Sequence, residues 1–347
     1  AGRGGADQMK KVLVIRLGAI GDIVLATAAL EALRRHAPEV EIDFVCKERF
    51  AGLLAGDPRL RRVLGFDERG EHKGLRGLLA FCHRLPRQRY DCVIDLQGNA
   101  RSRVIARCVR AGRRITWPRD TLRRRLLVRG IGRGGRFATV AERYLRALER
   151  LGVSAANARP KLYPQRDPAV PLPGRPFIAI APGAHWPTKR WPSERFAELV
   201  RKIGTAKWDI VLVGDAADAP IAAAIAAAVP FAVRDLCGKL PLPQLVWVLS
   251  RAALLVSNDS GAMHVAEACG VPVIALFGPT VREFGFAPWR KESMVIERKL
   301  DCRPCALHGS ERCPRGHHRC LREITADDVH RAIRPMLLKH LSLLLFS

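Results

Sequence analysis

"KVLVIRLGAIGDIVLATAALEALRRHAP", Lys11 to Pro38, sets the fold class. Its first residues are β-formers that run into Gly18. From Asp22 onward, apolar residues recur at helical spacing until Pro38 ends the pattern. That is strand, loop, helix. "EIDFVCK" and "YDCVIDLQG" (Tyr90 to Gly98) read as further strands with helical segments between them. Strands alternating with helices predict a parallel sheet covered on both faces.

The segment from Arg159 to Pro176 holds six prolines and no periodic pattern, which predicts an interdomain linker. A second α/β series follows it. "FIAIAPG", "DIVLVGD", "LLVSNDSG" and "VPVIALFGP" each run an apolar strand into a loop rich in Gly, Pro, Ser or Asp. Ligands of open α/β sheets sit at the carboxyl ends of the strands, so these loops are the places to look. The inferred architecture is α/β: two Rossmann-like domains with parallel sheets facing across a cleft. The expected boundaries are a disordered leader (1–8), a first domain (9–160), a Pro-rich linker (161–176), a second domain (177–330) and a C-terminal helix or tail (331–347).

With 347 residues, 48% of them hydrophobic, two ordinary cores are expected. The formal charge of +26 implies a polyanionic partner: nucleic acid, an anionic membrane face or a phosphorylated substrate. Between Arg101 and Arg136, thirteen arginines face one acid, Asp120, so one face of the first half should be strongly positive; the plainer alternative is a solvated basic surface. A nucleic-acid-binding protein rests on this charge alone, because the sequence has no RNA-binding aromatic signature, helix-turn-helix or finger module. Ten cysteines in so long a chain are no disulfide scaffold, and Cys46, Cys82, Cys92, Cys108, Cys237 and Cys269 lie where reduced thiols pack as small hydrophobes. That suits the cytosol. The run from Val12 to Leu33 is broken by Arg16, Asp22 and Glu31 and fails as a signal peptide or membrane span.

Three motifs carry chemistry. "GAIGD" has only Gly18 and Gly21 where a dinucleotide loop wants G-x-G-x-x-G, which disfavours a nicotinamide dehydrogenase. Asp22 falls at a helix start, where the plain role of a carboxylate is an N-terminal cap. In "PGAHWPTKRWP" (Pro182 to Pro192), Gly183 lets backbone approach a ligand, and Thr188, Lys189 and Arg190 offer a hydroxyl and two cations to phosphate oxygens; the bland reading is a surface turn. In "SNDSGAMHVAEACG" (Ser257 to Gly270), Asp259, Ser260 and Gly261 stand at a helix N-terminus, an anion site, with His264 a turn inside or simply packed in the core.

In order and spacing, "RLGAIGDIVLATAAL", "DLQGNARSR", "PGAHWPTKRWP" and "NDSGAMHVAEACGVPVIALFGPT" resemble the ADP-heptose:lipopolysaccharide heptosyltransferases of glycosyltransferase family 9, from Met9 to about Ile333. "PGA…KRWP" is more similar to heptosyltransferase II than to heptosyltransferase I. The resemblance implies a GT-B fold and inverting, metal-independent transfer of L-glycero-D-manno-heptose from ADP-heptose to the lipopolysaccharide inner core, onto Kdo-lipid A or heptosyl-Kdo-lipid A. By that resemblance Asp22 is the general base. Thr188, Lys189, Asp218, Asp259, Ser260, Gly261 and His264 hold the donor, with Lys189 meeting the charge of the departing ADP. Gln97, Arg101 and Arg103 face the acceptor. It also implies an enzyme on the cytoplasmic face of a Gram-negative inner membrane, the arginine belt holding it on the anionic leaflet. Nucleic acid is not an expected partner. A family 9 enzyme using another nucleotide sugar is the nearest alternative.

Outside that set, Cys302, Cys305, Cys313 and Cys320 are spaced C-x2-C-x7-C-x6-C with histidines interspersed, a candidate structural zinc pattern; reduced thiols or a late disulfide are the alternatives. No cofactor is expected for catalysis. The apolar end of the chain, from Leu341, is too short to span a bilayer and either packs back across the first domain or meets a membrane surface.

Overall fold

A five-stranded sheet and a six-stranded sheet, each wholly parallel, organise the chain. The computed structural model describes residues 9–117, 121–131, 138–170 and 172–345. The expected leader at 1–8 lies outside the described residues, as do Arg119, Asp120, Arg133 and Arg136 of the basic belt.

Each sheet is the centre of its own compact unit. Unit 1 holds residues 1–120 and 138–165; unit 2 holds 121–137 and 166–347. The chain passes from the first to the second inside the proline-rich segment, which carries neither helix nor strand over its described residues.

Unit 1 contains β1 (Lys11–Ile15), α1 (Ile20–His36), β2 (Glu41–Lys47), β3 (Leu60–Phe66), α2 (Gly74–Arg84), β4 (Tyr90–Asp95), α3 (Ala100–Cys108) and β5 (Ala111–Thr116). Next in the chain, α4 (Thr121–Val128) belongs to unit 2, and α5 (Val140–Glu149) returns to unit 1 against α1. The strand order is β3-β2-β1-β4-β5. β1 is central, and Val12, Leu13, Val14 and Ile15 are fully buried, so its uninterrupted apolar run has a physical cause: both faces are covered.

Unit 2 contains β6 (Phe177–Ala181), α6 (Ser193–Ile203), β7 (Asp209–Leu212), α7 (Ala219–Ala227), β8 (Arg234–Asp235), α8 (Leu242–Arg251), β9 (Leu254–Asn258), α9 (Gly261–Ala268), β10 (Val273–Phe277), β11 (Met294–Glu297), α10 (Arg319–Arg322) and α11 (Ala326–Leu345). Its order is β11-β10-β9-β6-β7-β8. Its core joins the strands to Trp191, Phe196, Leu199 and the inner side of α11.

Two expectations change. The basic belt is divided: Arg101 to Arg114 lie in unit 1, whereas Arg123 to Arg129 lie in unit 2. Within it Arg114 caps α3, donating to the Ala106 and Val109 carbonyls. Cys108 is exposed rather than packed; all ten cysteines are free thiols. In α11, Val329, Ile333 and Leu337 pack into the core of unit 2; the expectation for the apolar end from Leu341 falls on side chains outside the described ones. Among the described residues no helix is long and apolar enough to cross a membrane.

Candidate functional site

In each unit the strand order reverses beside the first strand, between β1 and β4 in unit 1 and between β6 and β9 in unit 2. The crevice outside the carboxyl ends of such strands is where open α/β sheets bind ligands. The loops that start there are "RLGAIGD", "LQGN", "PGAHWPTKRWP" and "DSG". Topology therefore collects the sequence motifs into two clusters.

In unit 1, Asp22 sits in the first turn of α1. Its Oδ2 accepts the Ala19 N–H at 3.2 Å, so the capping role is present. Its Oδ1 faces the Arg16 guanidinium at 2.7 Å and accepts from the Tyr144 hydroxyl at 3.5 Å. Arg16 is buried and also donates to the Leu96 carbonyl at 2.8 Å. Burial alone would lower the Arg16 pKa; the charge of Asp22 overrides it, the net shift is upward, and the guanidinium stays charged. The Asp22 carboxylate, 21% exposed, is thus held on one side by a buried cation and open on another.

The "LQGN" turn closes against the same loop. Gln97 Oε1 accepts the Leu17 N–H at 3.1 Å. Buried Asp95 accepts the Gln97 and Gly98 N–H groups and the Ser102 hydroxyl, each at 2.9 Å. Arg101 pairs with Glu68 at 3.4 Å, and Lys47 and Arg49 converge on that same carboxylate at 2.6 and 3.2 Å. Arg103 is exposed. Two residues apart on a helix, Arg101 and Arg103 do not share a face, so only one of them joins this cluster.

In unit 2, Lys189 Nζ meets Asp259 Oδ2 at 2.6 Å, and the Thr280 hydroxyl donates to the same oxygen at 2.6 Å. Asp259 therefore orients Lys189. Ser260 is the N-cap residue of α9 without a side-chain cap bond, its hydroxyl 3.1 Å from that of Ser257, and Gly261 opens the helix. The dipole of this helix start favours an anion. His264, one turn on, is buried with its ring parallel to Trp289 at 6.0 Å, the packed-histidine arrangement.

Two donor-loop residues are more committed than their sequence suggests. The Thr188 hydroxyl donates to the Ser310 carbonyl and accepts the Ser310 N–H, both at 2.8 Å. A hydroxyl has one proton to give, so Thr188 here braces the loop against the cysteine-rich segment. Asp218 is buried beside Gly183 and Gly214; a Cβ on Gly183 would lie 1.9 Å from its carboxylate. Gly183 is thus required by Asp218. Burial, then repulsion from Asp215, raises the Asp218 pKa, against the Asp215 N–H bond that lowers it.

Sequence reasoning missed several residues. Asn258 bridges the switch point: its amide donates to the Pro182 carbonyl at 2.7 Å and its oxygen accepts the Trp191 N–H at 3.0 Å. Glu267 anchors the loop after β10 by accepting from Trp289 N–H, Arg290 N–H and the Ser293 hydroxyl. Arg303 spans the Gly278 and Thr280 carbonyls and Glu297. Arg16 stood in the opening motif, but only its burial reveals it as the partner of Asp22. In the cysteine-rich segment, Cys302 Sγ lies 3.9 Å from His317 Nε2. Among the described residues no group of three or more His, Cys, Asp or Glu side chains is arranged to hold a metal ion, so the zinc expectation gains no support.

The glycosyltransferase family 9 (heptosyltransferase) profile matches residues 78–313. The chain belongs to glycosyltransferase family 9. It is an enzyme of the glycosyltransferase class. Lipopolysaccharide heptosyltransferase 1 of Pseudomonas aeruginosa is 30% identical over 308 residues, 85% of this chain and 86% of the relative. Lipooligosaccharide heptosyltransferase 2 of Haemophilus influenzae is 26% identical over 357 residues, 94% of this chain and 99% of the relative. The crystal structure of the family 9 glycosyl transferase from Veillonella parvula superposes with a TM-score of 0.79 at 24% identity, covering 95% of this chain and 98% of that one. The shared fold is GT-B, as the family resemblance implies.

Proposed function

We propose that this family 9 glycosyltransferase transfers L-glycero-D-manno-heptose from ADP-heptose to the inner core of lipopolysaccharide, on Kdo-lipid A or heptosyl-Kdo-lipid A, with inversion and without a metal. The observation that carries the reading is the pair of switch-point clusters: a held carboxylate in one unit, and a lysine beside a helix N-terminus in the other. The relatives named above act on lipopolysaccharide or lipooligosaccharide by name and include both a first and a second heptosyltransferase.

In the proposed step an acceptor hydroxyl oxygen attacks the anomeric carbon, the bond to the diphosphate breaks, and ADP leaves with the electron pair. Asp22 takes the hydroxyl proton as bonding develops. Arg16 and the Ala19 N–H fix its direction, so Arg16 is a positioning residue. Lys189, released from Asp259 toward the diphosphate, and the amides opening α9 meet the charge on departing ADP, the role a metal would otherwise fill. Asp218, His264 and Thr188 serve the donor site through its shape, Thr188 by bracing the loop. The cationic group of Lys47, Arg49 and Arg101 around Glu68 suits the carboxylates and phosphates of the acceptor better than Arg101 and Arg103 together. Gln97 supports the Asp22 loop from the β4 side.

The test is ADP release from ADP-heptose with each acceptor offered separately, and Asp22→Ala as control. Release that depends on one acceptor and is lost in the variant supports the reading and assigns the acceptor. Folded protein that releases ADP with neither acceptor, and does so instead with another nucleotide sugar, overturns it.

A further inference from the structure

We propose that the outer face of α2 is a membrane-docking surface that seats Leu75 and Leu79 in the headgroup layer of an anionic bilayer. The proposal rests on the reading above, in which the acceptor is lipid-borne, and adds where the enzyme meets the lipid.

Folding does not account for this face. The inner side of α2 already supplies Leu78 and Phe81 to the core of unit 1. Leu75 and Leu79 are 70% and 45% exposed, one turn apart and outside the buried Leu78 and Phe81 side. Residues four apart stand on one stripe. At eleven residues the helix is about 16 Å long, suited to lying in a membrane plane rather than crossing it.

Charge selects the occupant. Between Glu71 and Asp91 the chain has no acid, and Lys73, Arg76 and Arg87 are exposed there. α3 packs beside α2. It exposes Arg103 and Arg107 in a stretch with no acid between Asp95 and Asp120. A second copy docking through this face would bring like charges together. A nucleic-acid backbone would satisfy the cations and leave the leucines in water. An anionic bilayer satisfies both.

The test is sedimentation of the full chain with vesicles of phosphatidylcholine alone and of phosphatidylcholine mixed with phosphatidylglycerol. Wild-type protein should sediment with the anionic vesicles only, and less so as salt rises. The double variant Leu75→Ser/Leu79→Ser keeps the net charge, so it isolates α2 from the general positive charge; its partition coefficient should fall about tenfold. Arg76→Gln/Arg87→Gln should fall about thirtyfold. All four side chains are exposed, and unchanged melting together with unchanged transfer to a delipidated, water-soluble acceptor would show intact folding and chemistry. Leucine variants that sediment like wild type overturn the proposal, as does a wild type that ignores anionic vesicles or one whose dimerisation or DNA binding, and not vesicle binding, depends on the leucines. Vesicle binding and soluble-acceptor transfer are read separately, so a failure of docking is distinct from a failure of the heptosyl-transfer reading.

Discussion

Replacing Asp22 by Asn should separate a structural role from a catalytic one. Arg16, with a side chain 7% exposed, would keep its charge and lose its anionic partner. Breaking a buried pair from one side costs about 3–5 kcal/mol. The Asn oxygen can still accept from Arg16 and Asp22 is partly exposed, so about 2–3 kcal/mol is the working figure. For a unit of this size that is about 4–12 °C of melting temperature. Heptosyl transfer should fall by about 10²–10⁴, the usual contribution of a general base. Adding Arg16→Met removes the stranded cation, and the double variant should recover about half of the lost stability while transferring no faster than Asp22→Asn alone. Thermal melts and ADP release on the four proteins of this cycle give both quantities. If transfer returned with stability in the double variant, Asp22 would be a strut for Arg16 and the base would lie elsewhere.

Lys189→Ala should weaken ADP-heptose binding at least about tenfold by calorimetry, because a charge-assisted contact to phosphate is lost; unchanged affinity would remove Lys189 from the donor site. Asn258→Ala should destabilise unit 2 by about 2 kcal/mol, since the Trp191 N–H and the Pro182 carbonyl lose their partner, and should raise KM for the donor more than it lowers kcat; a lowered kcat at unchanged KM would contradict a role in shaping that loop. Asp328 has its pKa lowered to about 2: burial would raise it, and bonds from the Thr325 backbone and hydroxyl and from Arg298 outweigh burial. Its stabilisation should be complete above about pH 4 and lost as pH falls toward 2, so Asp328→Asn should cost at most about 2 kcal/mol at pH 7 and nothing near pH 2; a difference independent of pH in acid melts would refute this.

The central strands were legible from sequence because burial on both faces demands unbroken apolar runs such as "KVLVI", "FIAIA" and "LLVSN". β3, β5 and β8 were not, since strands near or at a sheet edge carry solvent-facing polar residues, as "LRRVLGF", "AGRRIT" and "RD" do, and show no continuous signal. The motif loops were legible too, because glycines, hydroxyls and charges at strand ends break the apolar pattern.

Fold class, family and the identity of the loops at strand ends are all written in the linear pattern of residues. Pairing is not. That Asp22 rests on Arg16, that Lys189 is held by Asp259, that Thr188 spends its proton on Ser310 and that Leu75 and Leu79 face outward all depend on which strands adjoin and which helix side is covered. Residues far apart in the chain, such as Asn258 and Pro182, leave no local periodicity that could announce their contact.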